Sequence, residues 1–150
     1  MPALQNLVET VCNRFGREEP AGTRCEISIV VVDDTQIRDL NDRFLKHKKT
    51  TDCLSFDLSS GAEQSQAGRP ATRMFEIVVN GEMAARQGSL RGHSSEAELA
   101  LYIVHGLLHN LGFDDATSDE AQAMHEAEDE ILQQLGYGSV YNSGISGQEQ

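Results

Sequence analysis

One segment near residue 105 limits the possible folds of this chain more than any other. Residues 97–111 repeat apolar side chains at helical spacing, with Leu101, Val104, Leu108 and Leu111 along one stripe. Further apolar residues occupy the other sides, and a helix that is apolar nearly all round is a buried, central one. The sequence therefore predicts a helix that runs through the core.

A polar stripe interrupts this apolar helix, formed by Glu98, Tyr102, His105 and His109. Residues i and i+4 lie about one turn apart on the same face, so the stripe is expected to face a cavity or a ligand. His105 and His109 can close on one metal ion, as in helical zinc sites. A histidine pair at this spacing also arises by chance, and a buried histidine usually only satisfies a hydrogen bond.

The residues after the pair extend the pattern. Gly112 can end the helix in a left-handed cap, and a chain that turns back there can bring one of the two following carboxylates, Asp114 or Asp115, to the same ion. Two imidazoles and one carboxylate make a three-ligand site with an open position, which is typical of catalytic zinc. The same set suits Fe(II), Mn or Ni, so another divalent metal stays possible.

The general base of such a site is not fixed by the motif. Zinc peptidases carry H-E-x-x-H, with the Glu as base, and Gly106 stands at that position here. This argues against proteolysis. Glu76 and Asp114 are candidate bases, beside the metal centre itself, although strand alternation could equally leave Glu76 facing solvent.

Composition and charge restrict the partners. The chain has 150 residues, of which 39% are hydrophobic and 24% charged, as in a globular protein. We expect one metallohydrolase-like domain over residues 1–137 and a flexible tail over 138–150. The net charge of −12 argues against broad, charge-driven binding of nucleic acid. An RNA-binding function needs a local basic patch, for which the candidates are Arg43, Lys46, His47, Lys48 and Lys49, followed by Arg69 and Arg73.

The cellular location is inferred by default. The chain has three cysteines and no C-x-x-C pair, which disfavours a disulfide scaffold and fits a reducing compartment. No signal peptide is visible at the start, and the longest apolar runs are far too short to span a bilayer. The expectation is a cytoplasmic protein without membrane contact.

The remaining pattern predicts an α+β fold, or a layered α/β one. Residues 26–32, 53–58 and 75–79 read as strands, and a short fourth strand is possible over Arg69–Met74. Ser95 with Glu98 and Thr117 with Glu120 are possible capping boxes for two helices. Strands separated by helices favour a small, partly parallel sheet covered by helices.

Three blocks of sequence resemble the YbeY family of bacterial endoribonucleases and rRNA maturation factors. His105–Asp115, H-G-L-L-H-N-L-G-F-D-D, resembles the family's H-G-x-L-H-x-x-G-F-D stretch followed by a ligand. Leu40–Phe56 resembles its L-N-x-x-(aromatic)-R…P-T-D-V-L-S-F stretch, and Phe75–Val79 its G-D-I-x-I strand. Order and spacing match over residues ~25–137.

The resemblance implies a mixed sheet of about four strands covered by about five helices, with a zincin-like metal helix. It implies a zinc-dependent, single-strand-specific endoribonuclease in rRNA maturation and ribosome quality control, with single-stranded RNA, ribosomal RNA or ribosomal proteins as partners. The metal ligands would be His105, His109 and Asp115, and the catalytic residues Glu76 and Lys46.

Three positions depart from the family pattern. Asp115 replaces a histidine ligand, Glu76 replaces an aspartate, and Leu45 replaces an arginine that would stabilise phosphate charge. Lys46 or Lys48 can supply a charge there, without the bidentate fork of arginine. These departures keep open a ribosome-assembly factor that binds RNA or protein with weak or no catalysis, and also a hydrolase of another small substrate.

Overall fold

The structure, a computed structural model, describes residues 2–15, 24–47, 49–58, 72–114 and 116–137. Five helices and three strands lie in this part of the chain. In chain order they are α1 (Pro2–Phe15), β1 (Arg24–Val32), α2 (Asp34–Leu45), β2 (Cys53–Asp57), β3 (Thr72–Asn80), α3 (Gly81–Arg91), α4 (Ser95–Asn110) and α5 (Ser118–Gln134). The predicted α+β class is confirmed.

The sheet has the order β1-β3-β2, with β1 parallel and β2 antiparallel to β3. The expected sheet of about four strands is not found among the described residues, which form three. Arg73 and Met74, assigned to a separate short strand, instead begin β3, which extends from Thr72 to Asn80 without a break. The predicted tail, 138–150, lies outside the described residues.

Side-chain alternation along β3 divides the core in two. Ile77 and Val79 belong to the larger cluster, which contains most of α4 together with residues of α1, α3 and α5. Val78 belongs to a smaller cluster with Ile37 of α2 and Leu54 of β2. Helix α4 therefore packs on one face of the sheet and α2 on the other.

Helix α4 is the central helix that the apolar pattern predicts. Ten of its residues are buried, and it contacts α1, α3, α5, β2 and β3. Its N-cap is Ser94, whose side chain accepts a hydrogen bond from the Ala97 amide, so the predicted box at Ser95 is wrong by one residue. At its other end Gly112 adopts φ +107°, as expected for a glycine that ends a helix.

Helix α5 begins with the predicted capping box. Thr117 accepts from the Glu120 amide at 3.1 Å, and the Glu120 carboxylate accepts from the Thr117 amide at 3.2 Å. The helix then carries Met124, Ala127 and Ile131 into the larger cluster. Among the described residues, no helix combines the length and apolar character that crossing a bilayer requires.

Candidate metal centre

The two histidines of α4 converge as their spacing predicts. The Nε2 atoms of His105 and His109 lie 3.2 Å apart, and their rings are nearly perpendicular, at 83°. Two nitrogens bound to one tetrahedral zinc at about 2.0–2.1 Å lie about 3.3 Å apart. The pair therefore already has the separation of two ligands on one ion.

The predicted third ligand, Asp115, lies outside the described residues. Within the part of the chain that is described, no group of three histidine, cysteine or acidic residues is arranged to hold a metal ion. Asp114, the alternative ligand, is exposed. The donor chemistry of the histidine pair fits a divalent cation, and a third ligand from Asp115 stays a prediction.

Glu128 of α5 contacts His105 on the side of its ring away from His109. Its side chain is 1% exposed, and one carboxylate oxygen accepts a hydrogen bond from His105 Nδ1 while the other accepts from His125 Nδ1 at 3.1 Å. Burial acts to raise the pKa of Glu128, but the two hydrogen bonds outweigh it and hold that pKa below its ordinary value. The sequence analysis missed this residue, since nothing in the spacing of α5 sets Glu128 apart from its five acidic neighbours on that helix.

Asp52 lies close enough to the pair for its charge to interact with His105. Burial raises the pKa of its carboxyl above the ordinary value, and the neighbouring charge of Glu128 adds to the rise. Its side chain also accepts from the Thr51 hydroxyl at 3.4 Å. A half-buried carboxyl with a raised pKa near His105 is a candidate for proton transfer.

The N-terminal half of the polar stripe on α4, Glu98 and Tyr102, makes contacts within the protein instead. Glu98, only 1% exposed, lies 2.5 Å from His93 Nε2 and 3.7 Å from an Arg91 nitrogen. Tyr102 is buried beside it, and burial together with the charge of Glu98 raises the pKa of the phenol. The expectation that the whole stripe faces a ligand is therefore wrong for Glu98 and Tyr102, and for His105 and His109 it stays a prediction.

The structure does not bring Glu76 to the histidine pair. Ile77 points toward α4, because a Cβ built on Gly106 would lie 3.1 Å from its Cγ2 atom. Its neighbour Glu76 consequently points to the opposite face of the sheet. The same face carries α2, at whose end Lys46 is exposed in the left-handed region at φ 61°.

The expected basic patch lies at the end of α2 and in the segment after it. Arg43, Lys46, His47 and Lys49 are exposed, while Lys48 and Arg69 lie outside the described residues. Arg73 does not extend the patch, since it pairs with Asp57 at 2.9 Å and lies 4.8 Å from the centre of the Phe75 ring. Leu45, at the position of the family's arginine, is 45% exposed.

Comparison with known proteins gives the family. The model for "Endoribonuclease YbeY" matches residues 1–136. A protein of that name from Desulforamulus reducens is 36% identical over 133 residues, covering 89% of this chain and 87% of the relative. Another, from Laribacter hongkongensis, is 38% identical over 126 residues, covering 84% and 72%.

A solved structure agrees in fold. The solution structure of a Thermotoga maritima protein superimposes with a TM-score of 0.55 at 21% identity, covering 99% of this chain and 93% of the other. At that identity the likeness concerns the fold alone. The family model over residues 1–136 and the relatives at 36% and 38% identity show that this chain belongs to the endoribonuclease YbeY family.

Proposed function

We propose that this chain is a metal-dependent endoribonuclease that cleaves single-stranded RNA in rRNA maturation and ribosome quality control. The observation that carries the proposal is the 3.2 Å separation of His105 Nε2 and His109 Nε2, which suits two ligands of one cation. Relatives that share 30–38% of its residues over most of their length are named endoribonucleases, which supports RNA as the substrate. Ribosomal RNA or ribosomal proteins as partners are part of the proposal and follow from the sequence resemblance.

The ligand set of the proposal is His105, His109 and Asp115, with zinc as the metal and another divalent cation possible. A bound zinc ion polarises a phosphoryl oxygen and lowers the pKa of water near it. Compared with a third histidine, Asp115 adds one negative charge, which weakens that effect. The protein's own residues must then supply orientation and proton transfer.

Asp52 and three exposed cations are proposed for these roles. Asp52 is the proposed proton acceptor in place of Glu76, since it lies within charge-interaction range of His105 while Glu76 points to the other face of the sheet. The exposed cations Arg43, Lys46 and Lys49 are the proposed contacts to the RNA backbone. They act as a local patch, since repulsion from the acidic remainder is screened beyond about 8–10 Å at physiological ionic strength.

Metal analysis and RNA cleavage test this proposal together. Purified protein should hold about one divalent metal per chain, as catalytic zinc sites do, and should cleave a short single-stranded RNA but not its duplex. A chelator should abolish cleavage, and added metal should restore it. His109→Ala should lose metal and activity, whereas the exposed His47→Ala should keep its metal.

A matched pair of variants tests the third ligand. Asp115→Ala should lose metal, while Asp114→Ala should retain it. If Asp115→Ala keeps full metal and full activity, the ligand assignment is wrong. If instead Asp114→Ala loses the metal, the alternative ligand is the right one.

A second candidate function is a ribosome-assembly factor that binds RNA or a ribosomal protein with little or no catalysis. It is favoured by Leu45, whose exposed apolar side chain cannot stabilise phosphate charge where the family has an arginine. In that case the protein would bind RNA equally well with and without chelator and would not cut it. The variant Leu45→Arg tests whether the missing guanidinium is the cause. If it is the only defect, Leu45→Arg should cleave RNA faster than wild type.

A further inference from the structure

Glu128 has both of its oxygens occupied by histidines. Oε2 accepts from His105 Nδ1 on α4, and Oε1 accepts from His125 Nδ1 on its own helix at 3.1 Å. The carboxylate is 1% exposed, whereas the two imidazoles are 23% and 28% exposed. A buried carboxylate thus joins a half-buried ring of the candidate metal centre to a second histidine one helix away.

The chemistry of the carboxylate fixes the tautomer of both rings. An ionised carboxylate only accepts hydrogen bonds, so each Nδ1 must carry the hydrogen. The neutral His105 ring then has its lone pair on Nε2, the atom that lies 3.2 Å from His109 Nε2. A metal binds an imidazole through such a lone pair.

A purely structural role explains this arrangement less well. If Glu128 served only to hold α5 against α4, an apolar side chain of similar volume would do so at equal or lower free-energy cost, because a buried ionised group loses its hydration. The surrounding core is apolar, with Met124, Ile131 and Leu132 fully buried on the same helix. The carboxylate is therefore better explained by what it does to His105.

We infer that Glu128 is a positioning residue of the metal centre, which holds His105 in the Nδ1–H tautomer, and that His125 secures its second oxygen. This inference rests on the proposed metal site. In metalloproteins, removal of a group that orients a ligand in this way typically weakens metal binding by about 10–100-fold. The role of His125 is indirect, because it reaches the site only through Glu128.

Glu128→Gln is the decisive variant because it keeps the shape and changes only the hydrogen-bonding capacity. The amide offers one acceptor oxygen and one NH₂ donor, so one of the two rings must now present an Nδ1 lone pair and carry its hydrogen on Nε2. Where that ring is His105, it can no longer bind metal without breaking its hydrogen bond. Glu126→Gln is the matched control, since Glu126 is exposed on the same helix and contacts Gln122.

Two measurements follow. Long-range ¹⁵N NMR of the metal-free protein reports the tautomer of His105, and competition with a chromophoric chelator gives the affinity for Zn²⁺ alone. We expect the Nδ1–H tautomer in wild type, a shifted tautomer in Glu128→Gln, and a zinc affinity lower by about 10–100-fold. Glu126→Gln should match wild type in both.

Wild-type tautomers of both His105 and His125, together with wild-type zinc affinity, in folded Glu128→Gln would overturn the inference. If only His125 shifts, Glu128→Leu removes both acceptor oxygens, and an unchanged zinc affinity in that variant would overturn the inference equally. If wild type binds none of Zn²⁺, Mn²⁺, Fe²⁺ and Ni²⁺ while Glu128→Gln still shifts His105, Glu128 sets the tautomer of that ring and the proposed metal-dependent function falls. Should Glu128→Gln fail to fold, His125→Ala carries the test, since that side chain is partly exposed. It should fold and lose zinc affinity to a smaller extent, and an unchanged affinity there would contradict the inference.

Discussion

Gly106→Ala tests how closely the histidine helix approaches the sheet. A Cβ at this position would lie 2.9 Å from Cys53 Sγ and 3.1 Å from Ile77 Cγ2, whereas ordinary contact begins at 3.4 Å. Ile77 is fully buried in the larger core cluster, and the partly buried Cys53 packs against that cluster. Helix α4 would therefore have to move away from the sheet by about 0.5 Å, the difference between 2.9 and 3.4 Å.

The expected net effect is a loss of about 1 kcal/mol in the free energy of unfolding, from a central cost of about 2 less a gain of about 1. Overpacking a core by one methyl group costs about 1–3 kcal/mol, and alanine in place of glycine inside a helix returns up to about 1 kcal/mol. For a domain of this size each kcal/mol lowers Tm by roughly 2–4 °C. Urea denaturation measures the difference directly, from a changed midpoint at constant slope.

A double-mutant cycle with Cys53→Ala identifies the contact. Removing Sγ alone should cost about 1 kcal/mol, as for a small cavity. The double variant should then be no less stable than Cys53→Ala, because the new methyl group occupies the vacated space. Additive losses would show that the two positions are not coupled.

Gly81→Ala is the matched control for this cycle. Its Cβ would lie 2.8 Å from Val31 Cγ1, but Val31 is 58% exposed and can give way into solvent. It should lose less stability than Gly106→Ala. A Gly106→Ala protein as stable as wild type would refute the packing described here.

Three further predictions concern buried charge and helix ends. In metal-free protein, Asp52→Asn should be stabilising at neutral pH and neutral in acid, because burial raises the pKa of Asp52 above its ordinary value of 3.8. Between the ordinary pKa and the raised one, the folded state keeps a proton that the unfolded state has released, so wild-type stability falls as pH rises through this range. Urea unfolding across pH 3–8 measures this. A difference in unfolding free energy between Asp52→Asn and wild type that does not change with pH would contradict the prediction. Glu98→Ala should cost about 3 kcal/mol, because it removes a buried carboxylate that pairs with Arg91 and lies within hydrogen-bond distance of His93. The exposed Glu96→Ala should cost less than about 1 kcal/mol, and equal thermal shifts for the two variants would contradict the assignment. Thr117→Ala should lower stability by about 1 kcal/mol through loss of the α5 capping box, and a Tm equal to that of wild type would argue against the cap.

Much of the fold is visible in the sequence because it depends on local periodicity. The apolar helix over 97–111, the capping box at Thr117 and the glycine after α4 follow from side-chain spacing and backbone preference, and each is found. The number of strands does not follow in the same way. Residues 69–74 have strand-like composition, but only pairing shows that Arg73 opposite Cys25 continues β3 rather than forming a separate strand.

The residues of the candidate site likewise fall into those that local spacing predicts and those that only tertiary packing brings together. His105 and His109 meet because their separation of four residues is a property of one helix. Glu128 and Asp52 reach them through tertiary packing from 23 and 53 residues away in the chain, and no local pattern encodes that approach. Glu76 was predicted from its place in a motif. Because its neighbour Ile77 faces α4, strand alternation places the Glu76 side chain on the opposite face of the sheet.

The position of Gly106 links the packing of α4 to its chemistry. In the H-E-x-x-H arrangement of zinc peptidases the residue after the first histidine carries the general base. Here that residue faces the sheet, with Cys53 and Ile77 within 3.1 Å of where a Cβ would lie, so no carboxylate side chain fits there without displacing the helix. If the proposed metal centre is catalytic, its proton-transfer group must therefore come from another element or from the metal centre itself. Two carboxyls approach His105, the half-buried Asp52 in the segment before β2 and the buried Glu128 of α5. Glu128 has both oxygens hydrogen-bonded to histidines, so the proposed function assigns proton transfer to Asp52 rather than to Glu128.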